Sequence, residues 1–213
     1  MNLEGKNIIL TGGSLGIGKE TAKELVKKGA NVLITGRSEE RLIKFCKDTD
    51  AKFIEFDIGD INNIAPNARK CIEMLDNRVD VLINNAGIGV RRSIEEININ
   101  DFLDVFNVNV FGLSLFTKEI IPLMKNQERG TIINIGSTAS LKGYKNGSIY
   151  ASSKFAVRCL TQCWQAELRP HNIRVCQINP SEVTTAFGNP ERIEREEVYN
   201  RLTPSEISHA IIS

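Results

Sequence analysis

Short β-branched runs separated by amphipathic stretches of helical length constrain this chain more than any other feature. The runs are Asn7–Leu10, Asn31–Ile34, Lys52–Phe56, Asp80–Ile83, Thr131–Ile135 and Arg174–Ile178. Between them lie Lys19–Lys28, Glu39–Lys47, Ile61–Leu75, Asp101–Lys125 and Tyr150–Leu168. Strand and helix in alternation predict an α/β fold with a parallel sheet covered on both faces. The runs are apolar rather than alternating, as strands buried on both faces require. Right-handed crossovers then give a three-layer, doubly wound parallel sheet. No repeat, low-complexity segment or Pro/Gly/Ser-rich linker divides the 213 residues, a length that suits a single domain, 1–213. Pro122 and Pro170 read as helix ends or turns.

Lysine plus arginine is 27 against 26 for aspartate plus glutamate, a net charge of +1. That balance argues against a nucleic-acid partner held by bulk charge. No run approaches the roughly 18 apolar residues of a membrane span. The opening Met1–Lys6 has no apolar signal core, so neither a membrane nor secretion is expected. Five cysteines without a Cys-x-x-Cys pair, and two histidines, predict neither a disulfide framework nor a metal site. A cytoplasmic location is the expectation.

Thr11-Gly12-Gly13-Ser14-Leu15-Gly16-Ile17-Gly18 follows the first run and opens the first long amphipathic stretch. Glycines there permit a tight turn and let the backbone approach a pyrophosphate at a helix N-terminus. A strand before and a helix after make the pattern more than a bare glycine motif. Gly13-x-x-x-x-Gly18-Lys19 also approaches a P-loop, the mark of a nucleotide hydrolase. That loop needs serine or threonine next to hold magnesium, and Glu20 stands there instead. Where the second strand ends, an NAD site has an acid and an NADP site favours arginine. Arg37 with Ser38 suits a 2′-phosphate, which a guanidinium can grip with two hydrogen bonds. NADP(H) is therefore favoured over NAD(H). Glu39 and Glu40 read as first-turn helix residues favoured by the dipole.

Tyr150 and Lys154 lie four apart at the start of a predicted helix, hence on one face. A free tyrosine titrates near 10, too high for proton transfer at neutral pH. A nearby ammonium is expected to lower that value toward the useful range. Ser137, at the end of the fifth run, could hydrogen-bond a substrate oxygen. Alone, a Tyr-x-x-x-Lys pair is commonly surface decoration; the dinucleotide turn and the strand-end serine change its weight.

With these motifs in order, the chain resembles a single-domain short-chain dehydrogenase/reductase. Thr11-Gly12-x-x-x-Gly16-x-Gly18 matches the cofactor motif, and Asn84-Asn85-Ala86-Gly87 the second signature. Asn109 fits the family's helix asparagine, and Ser137, Tyr150 and Lys154 complete a tetrad. Asn179–Thr185 resembles the Pro-Gly-x-Val-x-Thr segment. The resemblance implies a Rossmann fold and a carbonyl/alcohol substrate. It assigns Tyr150 as general acid/base and Lys154 to the tyrosine and the nicotinamide ribose. Ser137 would orient the carbonyl and Asn109 would hold a relay water. The backbone of Gly12, Ser14, Leu15, Gly16, Ile17 and Gly18 would hold the pyrophosphate. Asp57 and Ile58 would lie beside adenine, and Asn85, Ala86 and Gly87 on the adenosine-ribose side. Pro180, Val183 and Thr185 would hold the carboxamide. Within the family, an acyl-carrier-bound 3-oxoacyl substrate and a small ketone or pterin both stay open. A dimer or tetramer is expected by resemblance.

Several features depart from the family pattern. Ser181 replaces the usual glycine. Leu15 stands where many NADP-preferring relatives carry a base, leaving the preference to Arg37. Relatives also continue into a seventh, edge strand, which the expected sheet lacks; either the sequence is a shortened form of a longer chain, the favoured reading, or the enzyme manages without that strand. Ser181–Leu202 is rich in charge, with Gly188, Pro190 and a helix-like Glu191–Arg201. Residues 184–202 read either as a substrate flap or as a solvated surface helix. Thr203-Pro204-Ser205-Glu206 announces a final helix through a capping box. Cys159 and Cys163 share a helix face and read as packing residues. Arg91 and Arg92 read as a surface pair or as a seat for an acidic group. A cofactor-binding regulator or scaffold without turnover is the rival from another class; four chemically matched residues argue against it.

Overall fold

The computed structural model describes residues 2–189 and 191–213, so Pro190 lies outside the described residues. Six parallel strands form one sheet in the order β3-β2-β1-β4-β5-β6. They are β1 (Asn7–Thr11), β2 (Asn31–Gly36), β3 (Lys52–Glu55), β4 (Val81–Asn84), β5 (Gly130–Ile135) and β6 (Ile173–Ile178). Each expected strand is present, within a residue or two at its ends.

Alternate residues of the inner strands feed opposite cores, as the two-residue pleat dictates. Ile8, Leu10, Ile34, Val81 and Ile83 join one cluster with Ala22 and Leu25 of α1 (Gly16–Lys27) and with Leu42 of α2 (Glu39–Lys47). Ile9, Leu33, Leu82 and Ile132 join the other, against Cys71 of α3 (Ile64–Met74) and Phe116 further on. Burial on both faces explains why the runs read as continuously apolar. α3 follows a 3₁₀ turn at Ile61–Asn63, and Pro66 is tolerated because first-turn amides lack helical partners.

The expected single helix 101–125 is interrupted. α4 (Ile99–Phe106) passes through a π-helical turn, Asn107–Gly112, into α5 (Leu113–Asn126). Gly112 is the physical reason: a Cβ there would run into the Ile58 carbonyl oxygen and lie 2.8 Å from that of Asn107. The wider turn carries Asn109 inward, where it is fully buried. Gly112→Ala is expected to cost about 1–3 kcal/mol through overpacking. Urea unfolding measures it, and an unchanged midpoint would refute the tight approach. Pro122 lies inside α5 rather than at an end or turn. It stands on the exposed side, where a carbonyl freed of its helical partner can be hydrated.

α6 (Ser148–Leu168) packs on β6, and α7 (Pro204–Ile212) packs on α1. The capping box of α7 is formed: Thr203 N donates to the Glu206 carboxylate at 2.8 Å, and Glu206 N donates to Thr203 Oγ1 at 3.3 Å. Cys159 and Cys163 are exposed on α6 and are no part of the core. Among the described residues, no helix is long and apolar enough to cross a membrane.

Glu191–Arg201 is not helical. Arg192 and Asn200 take positive φ, 55° and 67°, which breaks a helical path. Ile193 and Tyr199 remain exposed, so no apolar face is buried to reward a helix. The segment is tied at its base by a parallel bridge, with Thr184 N donating to Leu202 O at 3.0 Å.

Candidate active site

Strand order reverses beside β1, whose neighbours are β2 and β4, and a crevice opens at the carboxyl ends of such strands. The glycine-rich turn lies there. Gly12 has φ 71°, and a Cβ on it would stand 2.9 Å from Ala86 Cα. A Cβ on Gly18 would strike the Gly12 carbonyl oxygen, so the turn closes only with glycine. Asn85 fastens it: Nδ2 donates to Thr11 O at 3.0 Å and Gly12 O at 2.9 Å. Asn85 thus acts on the turn itself, with Thr11 Oγ1 accepting from the Asn85 and Ala86 amides at 3.1 Å. Leu15 is the extended residue before α1, and Ile17 packs toward the core.

The Gly16 amide, at the start of α1, already donates to a carboxylate oxygen of Glu194 at 2.8 Å. An anion therefore suits this backbone, and the donor set fits a dinucleotide's phosphates. Thr185 closes on the same turn, its Cβ 3.1 Å from where a Cβ on Gly16 would be. Val183 packs toward the core on the α1 side, and the Pro180 carbonyl accepts from Thr138 N at 2.9 Å.

Arg37 directly follows β2 and lies 3.9 Å from Asp57, both about half exposed. Ser14 faces the same strand end, its Oγ 3.5 Å from the Cβ position of Gly36. Ile58, just past Asp57, is buried. Two more guanidinium groups gather here that sequence reasoning missed. Arg41, one turn into α2, has a buried Nε without a partner among the described residues. Arg192 has its pKa pushed down by burial and by the charges of Arg37 and Arg41. Arg41 was legible by its four-residue spacing from Arg37, whereas nothing local marked Arg192.

Asn109, Ser137, Tyr150 and Lys154 are brought together. Asn109 Nδ2 donates to Ile88 O at 2.9 Å and to Ser153 Oγ at 3.0 Å, and its Oδ1 accepts from Ile88 N at 2.9 Å. Ser153 Oγ donates in turn to the Tyr150 carbonyl at 2.7 Å. Lys154 Nζ is buried, donates to Ile135 O at 2.8 Å and lies 5.8 Å from the Tyr150 ring centre. Gly87 joins this set, its Cβ position 3.4 Å from Asn109 Oδ1 and 3.6 Å from Lys154 Nζ.

Burial pushes the Tyr150 phenol up to about 12, while a hydrogen bond with the Ser137 hydroxyl pulls it down and Tyr144 raises it further. Burial likewise lowers Lys154 to about 8. The expectation that Lys154 lowers the Tyr150 pKa is not met in this chain. Its ammonium is spent on the Ile135 carbonyl and is itself destabilised by burial. Phe187 covers Tyr150 at a ring separation of 5.5 Å. Arg91 lies over the Tyr144 ring at 5.8 Å, and Arg92 pairs with Asp101 at 2.7 Å.

A buried polar ladder, also missed in the sequence, holds Ser137. Asn84, Asn134 and Gln177 stand in register across β4, β5 and β6. Asn84 Nδ2 donates to Asn134 Oδ1, and Asn134 Nδ2 to Thr161 Oγ1, each at 2.9 Å. Thr161 Oγ1 donates to Gln177 Oε1 at 3.1 Å, and Gln177 Nε2 reaches Ser140 Oγ at 3.1 Å. Ser140 Oγ and Asn179 Oδ1 both accept from Ser137 N at 3.2 Å. Isolated polar residues in apolar strands were the available signal, since buried amides require partners.

Comparison with known proteins gives the family. The short chain dehydrogenase family model matches residues 6–196, and the chain belongs to that family of oxidoreductases acting on the alcohol/carbonyl pair with a nicotinamide cofactor. It is 29% identical to an NADP-dependent 3-hydroxy acid dehydrogenase of Schizosaccharomyces pombe, over 99% of this chain and 86% of that protein. It is 31% identical to a 3-oxoacyl-[acyl-carrier-protein] reductase of Thermotoga maritima, over 100% of this chain and 91% of that protein. A 3-ketoacyl-(acyl-carrier-protein) reductase of Brucella melitensis, solved with NADH, superposes with a TM-score of 0.89 at 28% identity, over 99% of this chain and 90% of that one.

Proposed function

We propose that the protein is an NADP(H)-dependent reductase or dehydrogenase in which Tyr150 moves the proton. When bound, the cofactor's nicotinamide supplies or takes up the hydride. The backbone of the Gly12–Gly18 turn receives the diphosphate, and Arg37, with Arg41 beside it, receives the 2′-phosphate. Asp57 and Ile58 flank the adenine, and Thr185 lies at the same turn. In carbonyl reduction the protonated Tyr150 phenol donates to the substrate oxygen, which Ser137 orients. In alcohol oxidation the phenolate takes that proton. Lys154 and Asn109 form the buried polar floor through which the proton is replaced. Phe187 limits water around the phenol.

The observation that carries the reading is buried Lys154, 5.8 Å from the Tyr150 ring centre, next to a turn whose Gly16 amide donates to an anionic carboxylate. Arg37, with Arg41 beside it, supports NADP(H) over NAD(H). The substrate class is one bearing a carbonyl or hydroxyl three carbons into an acyl chain, free or carrier-bound. The two curated relatives named above share that position, the third carbon of an acid or acyl thioester. Exposed Leu103, Phe111 and Phe155 on α4, the π turn and α6 support self-association as a dimer or tetramer.

The test is parallel titration with NADPH and NADH, followed by nicotinamide fluorescence. NADPH is expected to bind at least about 10-fold tighter, from one charge-assisted contact to the 2′-phosphate. Binding of neither would overturn the reading, and tighter NADH binding would overturn the NADP(H) preference.

A further inference from the structure

Glu194 holds the amide that the proposed cofactor needs. Its Oε1 accepts from Gly16 N at 2.8 Å, and its Oε2 lies 3.9 Å from Lys19 Nζ. Gly16 is the first residue of α1, so its amide has no partner within the helix and lies at the positive end of the dipole. That position favours any anion, whether a diphosphate from solution or a carboxylate from the chain.

The contact spans 178 residues and pins a segment with few other anchors. Asn189 Nδ2 donates to Ile193 O at 3.1 Å, and Arg195 reaches Phe187 O at 3.5 Å. Phe187 in turn lies on Tyr150 and against Gly89, whose Cβ position is 3.0 Å from the Phe187 ring. Glu194 on the phosphate turn and Phe187 on the phenol are therefore two ends of one short connection. Arg192 opposes the arrangement, because it is drawn in beside Arg37 and Arg41. Burial and like charges at Arg192 disfavour the closed segment.

We propose that Glu194 is an intramolecular competitor for the diphosphate seat, so that residues 191–195 act as a latch which the cofactor must open. The proposal rests on the cofactor reading given under Proposed function. Opening removes a carboxylate from the Gly16 amide and frees the stretch that carries Phe187 off Tyr150. The latch lowers apparent cofactor affinity by the stability of the Glu194 contact. A carboxylate at an exposed helix N-terminus accounts for about 2- to 5-fold in affinity.

The experiment uses the full chain, wild type, Glu194→Gln and Glu194→Ala. Each is titrated with NADPH and with adenosine 2′-monophosphate, which has the 2′-phosphate and no diphosphate. Each is also exposed to trypsin without nucleotide, and cleavage after Arg192 and Arg195 is timed. Both variants are expected to bind NADPH about 2- to 5-fold tighter, with adenosine 2′-monophosphate unchanged and cleavage faster. Wild-type binding with no gain in either variant would overturn the latch and leave the cofactor reading intact. Unchanged cleavage would overturn the contact itself. Failure of the wild type to bind NADPH or NADH would overturn both readings together. Glu194 is exposed, so neither variant is expected to disturb folding.

Discussion

Tyr150→Phe is expected to lower turnover by about 10²–10⁴-fold, the usual contribution of a positioned general acid or base, while NADPH binding stays nearly unchanged. Phenylalanine keeps the ring that packs against Phe187 at 5.5 Å and removes only the phenol hydroxyl. Burial holds the phenol up to about 12, so it is protonated at neutral pH, the state that donates to a carbonyl. Reduction should therefore be nearly flat through neutral pH as far as this group is concerned. Oxidation needs the phenolate and should rise with pH. Steady-state rates in both directions on a 3-oxoacyl and a 3-hydroxyacyl ester, with NADPH titrations of each protein, test these statements. Turnover retained in the variant would remove Tyr150 from proton transfer. Lost NADPH binding would show instead that the hydroxyl serves the cofactor.

The residues that both the sequence and the structure place near one another share a simple physical origin. Tyr150 and Lys154 lie one helical turn apart, and Ser137 lies just past a strand whose neighbours are fixed by apolar continuity. The parallel sheet was legible for the same reason, since strands buried on both faces show no alternation. Errors arose where distant backbone decides local form. The 101–125 helix is widened because Gly112 meets the carbonyl of Ile58, a contact no local pattern announces. Glu191–Arg201 carries helix-favouring residues, but it has no apolar face to bury and its Glu194 is drawn to Gly16. The lysine–tyrosine electrostatics also escaped the sequence. Spacing gives a shared face, yet the direction of the ammonium depends on a carbonyl at the end of β5.

Arg37→Asp is expected to invert the cofactor preference, weakening NADPH by about 10²-fold and leaving NADH equal or tighter. A charge-assisted contact contributes about 1.5–3 kcal/mol, or roughly 10- to 150-fold in affinity. The new carboxylate adds repulsion toward a 2′-phosphate and can accept from a 2′-hydroxyl. Arg37 is free for this role because its present partner, Asp57, lies at 3.9 Å with both side chains about half exposed, a geometry of little strength. Arg41 would still attract the phosphate, so residual NADPH binding is expected in the single variant. Adding Arg41→Ala should deepen the loss without weakening NADH. Parallel fluorescence titrations measure the ratio of the two affinities. A ratio unchanged by Arg37→Asp would place the 2′-phosphate elsewhere. A ratio that moves only when Arg41 is also removed would make α2, rather than the end of β2, the element that distinguishes the two cofactors.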